Sequence, residues 1–274
     1  MINNRILRKA EQTSALLAVL FVNSTFGAAV SIDPRTTVTA SMDGGTAKTG
    51  NTWYGLGVNT ASAASGLVSG LVFGQSDPLS TYLFQPAAGL NSLMLDNATK
   101  TGTITFGRPL SVTALSFAGS SGNGAGSVTP TLRFTDSTSD TLGAVTFGDW
   151  FNNTPRVETA NGRIDVGANS FANVGSDNPR ILAINLTLSA ADAAKTIRSI
   201  DLTWTGGTTV HTAIFGVSGD IAGLGHFSAI PLLAASFNQD MIVGLSEVVP
   251  EPGTLALFSF GAIGLVVSYR RKRF

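Results

Sequence analysis

Between residues 31 and 248 the chain shows short runs in which apolar and polar residues alternate, and no long helical period. Thr103–Phe106 reads Thr-Ile-Thr-Phe; Val128, Pro130, Leu132 and Phe134 share one parity, as do Leu182, Ile184, Leu186 and Leu188, and Ile200, Leu202 and Trp204. A period of two puts successive side chains on opposite faces of a strand, so each run predicts a strand with one face on a core. Turn-forming residues punctuate the runs: Asp43-Gly44-Gly45, Ser121-Gly122-Asn123-Gly124, Asn161-Gly162 and Gly206-Gly207. Ser189–Lys195 is the one stretch that predicts a helical turn, with Ser189 as its N-cap. Pro231 opens Leu232–Ala235, and Phe237–Leu245 predicts a last strand. Many short strands between turns predict a mainly β fold, an antiparallel β-sandwich of jelly-roll type over residues 30–248.

Both ends break this pattern. At the N-terminus Arg5, Arg8 and Lys9 precede the apolar run Ser14–Val22, and Gly27, Ala28 and Ala29 come after it. Basic flank, short apolar run and small-residue exit, in that order, predict a secretory signal peptide over 1–29, with signal peptidase as a partner. At the C-terminus Pro250-Glu251-Pro252 precedes Thr254–Tyr269, a run without charge, and Arg270, Arg271, Lys272 and Arg273 succeed it at once. At 1.5 Å per residue a helix over 254–269 reaches about 24 Å, against a hydrocarbon core of about 30 Å. Long basic side chains reach outward and close that gap, which predicts a single transmembrane helix with a cytoplasmic basic stop over 270–274. Basic residues on the inside at both ends place the body between them outside.

Composition sharpens this reading. Lys+Arg and Asp+Glu number 17 each, but residues 30–249 hold 10 basic and 15 acidic residues, so the body is acidic and the tails are basic. At zero net charge a polybasic nucleic-acid binder is excluded as a class. With 43% hydrophobic residues the chain is not a charge-driven disordered protein. Cysteine is absent, so there is no disulfide framework, thiolate metal site or cysteine nucleophile.

The order Pro250-Glu251-Pro252, apolar helix, terminal Arg cluster resembles the PEP-CTERM sorting signal of Gram-negative bacteria, also labelled an ice-binding protein C-terminal domain. The resemblance covers residues 249–274. It implies recognition by an exosortase, an integral membrane protease-transpeptidase, with transient anchoring in the membrane and then release to the cell surface or outside. It also implies an association with exopolysaccharide and biofilm. In the body, SSGNG at 120–124, DWFNNTP at 149–155, ANGRIDV at 160–166, NPRI at 178–181, SIDLTW at 199–204 and AIFGVSG at 213–219 resemble β-sandwich modules of exported proteins with this tail, and GNTWYGLG at 50–57 agrees. That second resemblance implies a binding or matrix module.

Candidate chemistry is sparse. There is no phosphate-binding loop and no GxSxG elbow. His211 and His226 lack a second ligand at metal spacing, and His211 shares parity with Ala213, Phe215 and Val217, as a core or edge residue would. Asp149, Glu158, Asp165 and Asp177 lie in one region and would have to converge to act as a glycosidase pair; turn capping is their ordinary role. Asp33, Asp43, Asp136, Asp140 and Asp220 at strand ends are candidate oxygen ligands for a structural calcium ion. Trp53, Tyr54 and Trp150 sit beside Gly or Asn and are the candidate sugar-stacking rings, although burial is the default for such residues. Trp204 shares parity with Ile200 and Leu202 and belongs to a core, and threonine pairs such as Thr103/Thr105 are ordinary strand residues.

These observations predict an exported surface protein with no catalytic residues and no cofactor, serving as matrix structure or as an exopolysaccharide-binding module. A carbohydrate-active hydrolase and a protein-binding adhesin are the alternatives.

Overall fold

A computed structural model describes residues 41–44, 49–55, 66–87, 89–152, 155–168, 170–172 and 178–243. The expected signal peptide, transmembrane helix, Pro250-Glu251-Pro252 and basic stop lie outside the described residues. Among the described residues no helix is long and apolar enough to cross a membrane.

The described residues form seventeen strands. The first nine in chain order are β1 (Asn51–Tyr54), β2 (Gly70–Phe73), β3 (Thr81–Phe84), β4 (Leu93–Leu95), β5 (Thr101–Leu110), β6 (Ala114–Gly122), β7 (Gly126–Phe134), β8 (Ser139–Thr141) and β9 (Val145–Phe147). Then come β10 (Arg156–Thr159), β11 (Arg163–Asp165), β12 (Ser170–Ala172), β13 (Arg180–Thr187), β14 (Ile197–Thr205), β15 (His211–Asp220), β16 (Ser228–Ile230) and β17 (Ile242–Val243). One helical turn, α1 (Ala190–Ala193), separates β13 from β14; Ser189 caps it by accepting the Asp192 N–H, as the sequence predicts.

The mainly β, antiparallel expectation holds. One sheet runs β5-β14-β7-β8, with β9 also on β7; a second runs β10-β13-β6-β15-β16, with β4 also on β15. The connections β5–β6, β6–β7, β13–β14 and β14–β15 each cross from one sheet to the other, so the two are sewn together strand by strand. The crossing at β6–β7 uses the predicted Gly122-Asn123-Gly124 turn, where Asn123 and Gly124 both have left-handed backbones (φ 58° and 107°), a conformation that asparagine and glycine adopt most readily.

The alternating strands lie where one face meets a core. In β7 every second residue is buried, Val128, Pro130, Leu132 and Phe134 among them, and in β14 Ile200, Leu202 and Trp204 are buried. They meet Leu115 and Phe117 of β6 and Ile214 and Val217 of β15 in the core between the two sheets. The outer face of β5-β14-β7-β8 carries hydroxyls in register: Thr203 stands between Thr101 and Thr129, and Asp201 between Thr103 and Thr131, with Thr141 beyond.

A sandwich of two sheets falls one layer short of the structure. The second sheet is covered on its far face as well, by a second core that gathers Ala118, Ala213 and Phe215 with Trp53, Tyr54, Val72, Tyr82, Phe84, Trp150 and Ile164. The covering layer consists of the β12-β11-β1-β17 sheet and the β2-β3 hairpin. The middle strands are therefore buried on both faces, and β6 and β15 show no alternation of burial at all. Small residues allow this. A Cβ on Gly119 would stand 2.5 Å from the Ala213 carbonyl oxygen and 2.9 Å from the Phe147 ring, closer than atoms approach.

A register shift between Ile214 and Gly216 marks a bulge in β15. Ala213 and Phe215 face the second core while Ile214 and Val217 face the first, so the parity that His211 shares with Val217 in sequence does not survive the bulge. Of the strand expected over Phe237–Leu245, residues 237–243 are described, and among them Ile242–Val243 is strand while the residues before it bridge to the flank of β4 through Ser92 and Gln239.

Candidate functional site

Trp53 of β1 and Trp150, just after β9, meet edge to face with ring centroids 4.9 Å apart and planes at 85°. Phe215 of β15 closes on Trp53 from another side at 5.0 Å, and Phe151 leans on Trp150 at 5.5 Å. Edge-to-face packing sets the positive rim of one ring on the negative face of the next. Trp53, Tyr54 and Trp150 each have 0% exposure. This corrects the expectation that they stack on a sugar, since a ring with no accessible face has nothing to offer a ligand from solvent. Their Gly and Asn neighbours suggest exposure locally, but the covering layer supplied by distant segments decides burial.

Two arginines border this cluster. The Arg163 guanidinium lies 5.4 Å from the Phe151 ring centre and 6.0 Å from that of Trp150, and its Nη1 donates to Asp43 Oδ2 at 2.8 Å. Arg180 is 4% exposed and donates through Nη1 to the Phe151 carbonyl oxygen at 2.6 Å. A guanidinium over aromatic faces adds a cation–π attraction that grows as water is excluded. Both residues therefore hold the aromatic cluster together.

The carboxylates that would have to pair for hydrolysis do separate work. Asp149 accepts the Phe151 N–H at 3.0 Å and the Gly124 N–H at 2.9 Å, and Asp165 accepts the Ala168 N–H at 2.8 Å. These are turn-capping contacts. Asp177 lies outside the described residues. Glu158, in β10, is different. It is 7% exposed, its Oε1 accepts the Val68 N–H at 2.6 Å, and its Oε2 has no hydrogen-bond partner among the described residues. Burial pushes its pKa up to about 7, and the Val68 N–H opposes that only in part.

The candidate calcium ligands stay apart. Asp43 is committed to Arg163, Asp136 caps Thr138, and Asp140 is exposed in β8. Asp220 accepts the N–H groups of Leu224 and Gly225. Desolvation works against its charge, but these backbone donors outweigh it and hold its pKa below the ordinary carboxylate range. Asp33 lies outside the described residues, and among those described no three His, Cys, Asp or Glu side chains gather as a metal would require. His211 Nδ1 stands 3.4 Å from Asp96, and His226 Nδ1 stands 3.0 Å from Asp77.

A cleft of about 190 Å³ is lined by Leu67, Val68, Ser69, Gln85, Ala87 and Ile242. It lies beside Ile242, at the end of the described residues. Asn91 fixes that exit, with its Oδ1 accepting the Met241 and Ile242 N–H groups at 2.9 and 3.2 Å and its Nδ2 donating to the Ile242 carbonyl oxygen at 3.2 Å. The Thr52 hydroxyl donates to the Met241 carbonyl oxygen, and β17 lies parallel to β1 with Trp53 opposite Ile242.

The segment beyond that exit decides the protein's destination. Residues 248–272 match the family model of the PEP-CTERM protein-sorting motif. The chain carries a PEP-CTERM sorting motif. The motif begins a few residues past Val243, contains Pro250, Glu251 and Pro252, and runs into the basic stop at Arg270, Arg271 and Lys272. It implies export, exosortase processing and membrane-anchored localisation at the surface. No curated protein matches the chain.

Sequence patterns signal neither the isolated Glu158 nor the exit held by Asn91. Both depend on contacts between residues 90 and about 150 positions apart.

Proposed function

We propose that this protein is an exosortase-sorted surface protein whose β body acts without catalysis, as a structural unit of the exopolysaccharide-rich layer outside the cell. The sorting motif, which begins a few residues after the last described strand, carries this reading. The body's chemistry supports it. Asp149 and Asp165 are spent on turns, the three candidate rings fill a core, and Glu158 stands alone. The surface offered to a hydrated polysaccharide is the outer face of β5-β14-β7-β8. Its Thr101, Thr103, Thr129, Thr131, Thr141 and Thr203 present hydroxyls, which both donate and accept. Contacts of this kind exchange water for sugar with little net gain each, so retention rests on many weak contacts along one polymer.

The test replaces Pro250, Glu251 and Pro252 by alanine in a host that carries an exosortase. The expected result is an unprocessed chain retained in the membrane fraction. Unchanged mass and unchanged surface location would overturn the sorting reading. For the body, release of new reducing ends from polysaccharide incubated with the purified protein would overturn the non-catalytic role.

A further inference from the structure

From Thr49 to Leu95 the sequence carries one charged side chain, Asp77, in a chain that is 12% charged overall. This stretch contains the β2-β3 hairpin of the covering layer. Val72 turns inward and is 7% exposed, while Leu71 and Phe73 on the opposite face are 55% and 61% exposed. Leu71 lies opposite Leu83 in β3, so apolar side chains meet across the outer face of the hairpin. Val68 extends the strip at one end (44% exposed) and Leu79 at the other (69%). The loop after β15 is tied to the same hairpin. The Thr81 N–H donates to the Phe227 carbonyl oxygen at 2.7 Å, the Phe227 N–H donates to Ser80 Oγ at 2.9 Å, and His226 meets Asp77. That loop adds Ile221 at 60% exposure and Leu224 at 73%. Large apolar side chains gathered in a stretch with so few charges mark an interaction surface rather than ordinary scatter.

The chain exit indicates what covers this face. Val68 and Ile242 share the walls of one cleft, so the strip begins where the chain departs for its sorting motif. Ten residues, 244–253, separate Val243 from the apolar run that opens at Thr254. Even fully extended, ten residues reach only about 35 Å. A body of about 200 residues is roughly 40 Å across. The tether is thus shorter than the body, and the face beside the exit is the one held close to the bilayer.

We propose that the outer face of the β2-β3 hairpin, with Leu71 and Phe73 at its centre, rests on the lipid surface in which the sorting tail is anchored. This inference rests on the anchoring implied by the motif. Binding is by apolar insertion into the headgroup region. The hairpin itself carries no lysine or arginine, its Asp77 is paired with His226, and the exposed Arg156 of β10 is the cation beside it, its backbone N–H donating to Ser76 Oγ at 2.7 Å. Docking therefore rests on apolar burial and responds only weakly to anionic lipid and to salt.

The absence of cysteine allows single labels to be placed at will. Full-length protein is reconstituted in phosphatidylethanolamine–phosphatidylglycerol vesicles with an environment-sensitive fluorophore at Leu71→Cys, at Leu83→Cys, at Thr129→Cys on the opposite hydroxyl face, or at Ala262→Cys in the tail. Spin-labelled lipid then quenches whatever touches the bilayer. The expected result is strong quenching at 262, quenching at 71 and 83 at least about twofold above that at 129, and little response to salt. Leu71→Ser with Phe73→Ser is expected to bring the label at 83 down to the level at 129 without changing the melting temperature. Quenching at 262 with equal values at 71 and 129 overturns the docking and leaves the anchoring intact. No quenching at 262 removes the anchoring itself. Shielding at 71 that grows with protein concentration in the absence of lipid assigns the face to a second copy and overturns the proposal.

Discussion

The Glu158 carboxyl accepts the backbone N–H of Val68 at 2.6 Å, joining β10 to the segment that leads into β2. Its other oxygen is unpaired among the described residues, and the group is buried. The folded state therefore favours the protonated acid, with a pKa of about 7 against an ordinary 4.5. The folded protein binds this proton more tightly than the unfolded chain does. The stability it contributes is complete below about pH 4.5, declines as pH rises towards 7, and is gone above that. A gap of this size corresponds to about 3 kcal/mol, as an order of magnitude. Thermal unfolding between pH 5 and 8 is expected to show falling stability, and Glu158→Gln, which keeps an acceptor for Val68, to flatten the curve. Identical pH dependence in both proteins would remove Glu158 as the cause.

Trp53 and Trp150 are structural residues. Replacing either by alanine opens a cavity within the cluster and is expected to cost about 3–5 kcal/mol in urea denaturation. If Trp53→Ala unfolded at the wild-type urea concentration, the packing described for the covering layer would be wrong.

Asn91 holds the exit through three hydrogen bonds to Met241 and Ile242. Asn91→Ala leaves those backbone groups without partners, at an expected cost of about 1–3 kcal/mol. Hydrogen exchange offers the sharper readout. The Met241 and Ile242 amides are expected to exchange faster, while Thr129 and Leu202 in the far sheet keep their wild-type rates.

The hydroxyl face predicts a separation of stability from binding. Thr129→Val with Thr203→Val leaves the first core untouched, and substitutions of this kind usually change stability by less than about 0.5 kcal/mol. Retention in a sedimented exopolysaccharide gel is expected to fall while the melting temperature stays within a few degrees. Undiminished retention would move the contact to another surface.

Strands β7 and β14 are legible in sequence because each has one buried face, so Val128, Leu132 and Phe134, or Ile200, Leu202 and Trp204, fall on every second position. Strands β6 and β15 are not, because cores on both sides remove the polar partner from the alternation and leave Ala, Gly and Ser in its place. The bulge at Phe215 then breaks the parity that His211 would need to read true. The α1 cap and the Asn123-Gly124 turn are legible because their chemistry is local. For Trp53 and Trp150 the sequence leaves a sugar-stacking role open beside the default of burial, because the third layer that covers them is announced by no neighbouring residue. The sorting motif is legible in full, since its information lies in the order of charge, proline and apolar length along the chain.

The two-residue strand β17 has a mechanical consequence. Any traction on the tail would enter the body at Ile242 and Val243, which lie alongside β1, just after Met241, which Thr52 and Asn91 both hold, and with Asn91 also on Ile242. A pull along the strand axis strains the hydrogen bonds between β1 and β17 in shear, together, whereas a pull across it would open them one by one. A load on the tail would therefore meet a short parallel pairing before it reached either core.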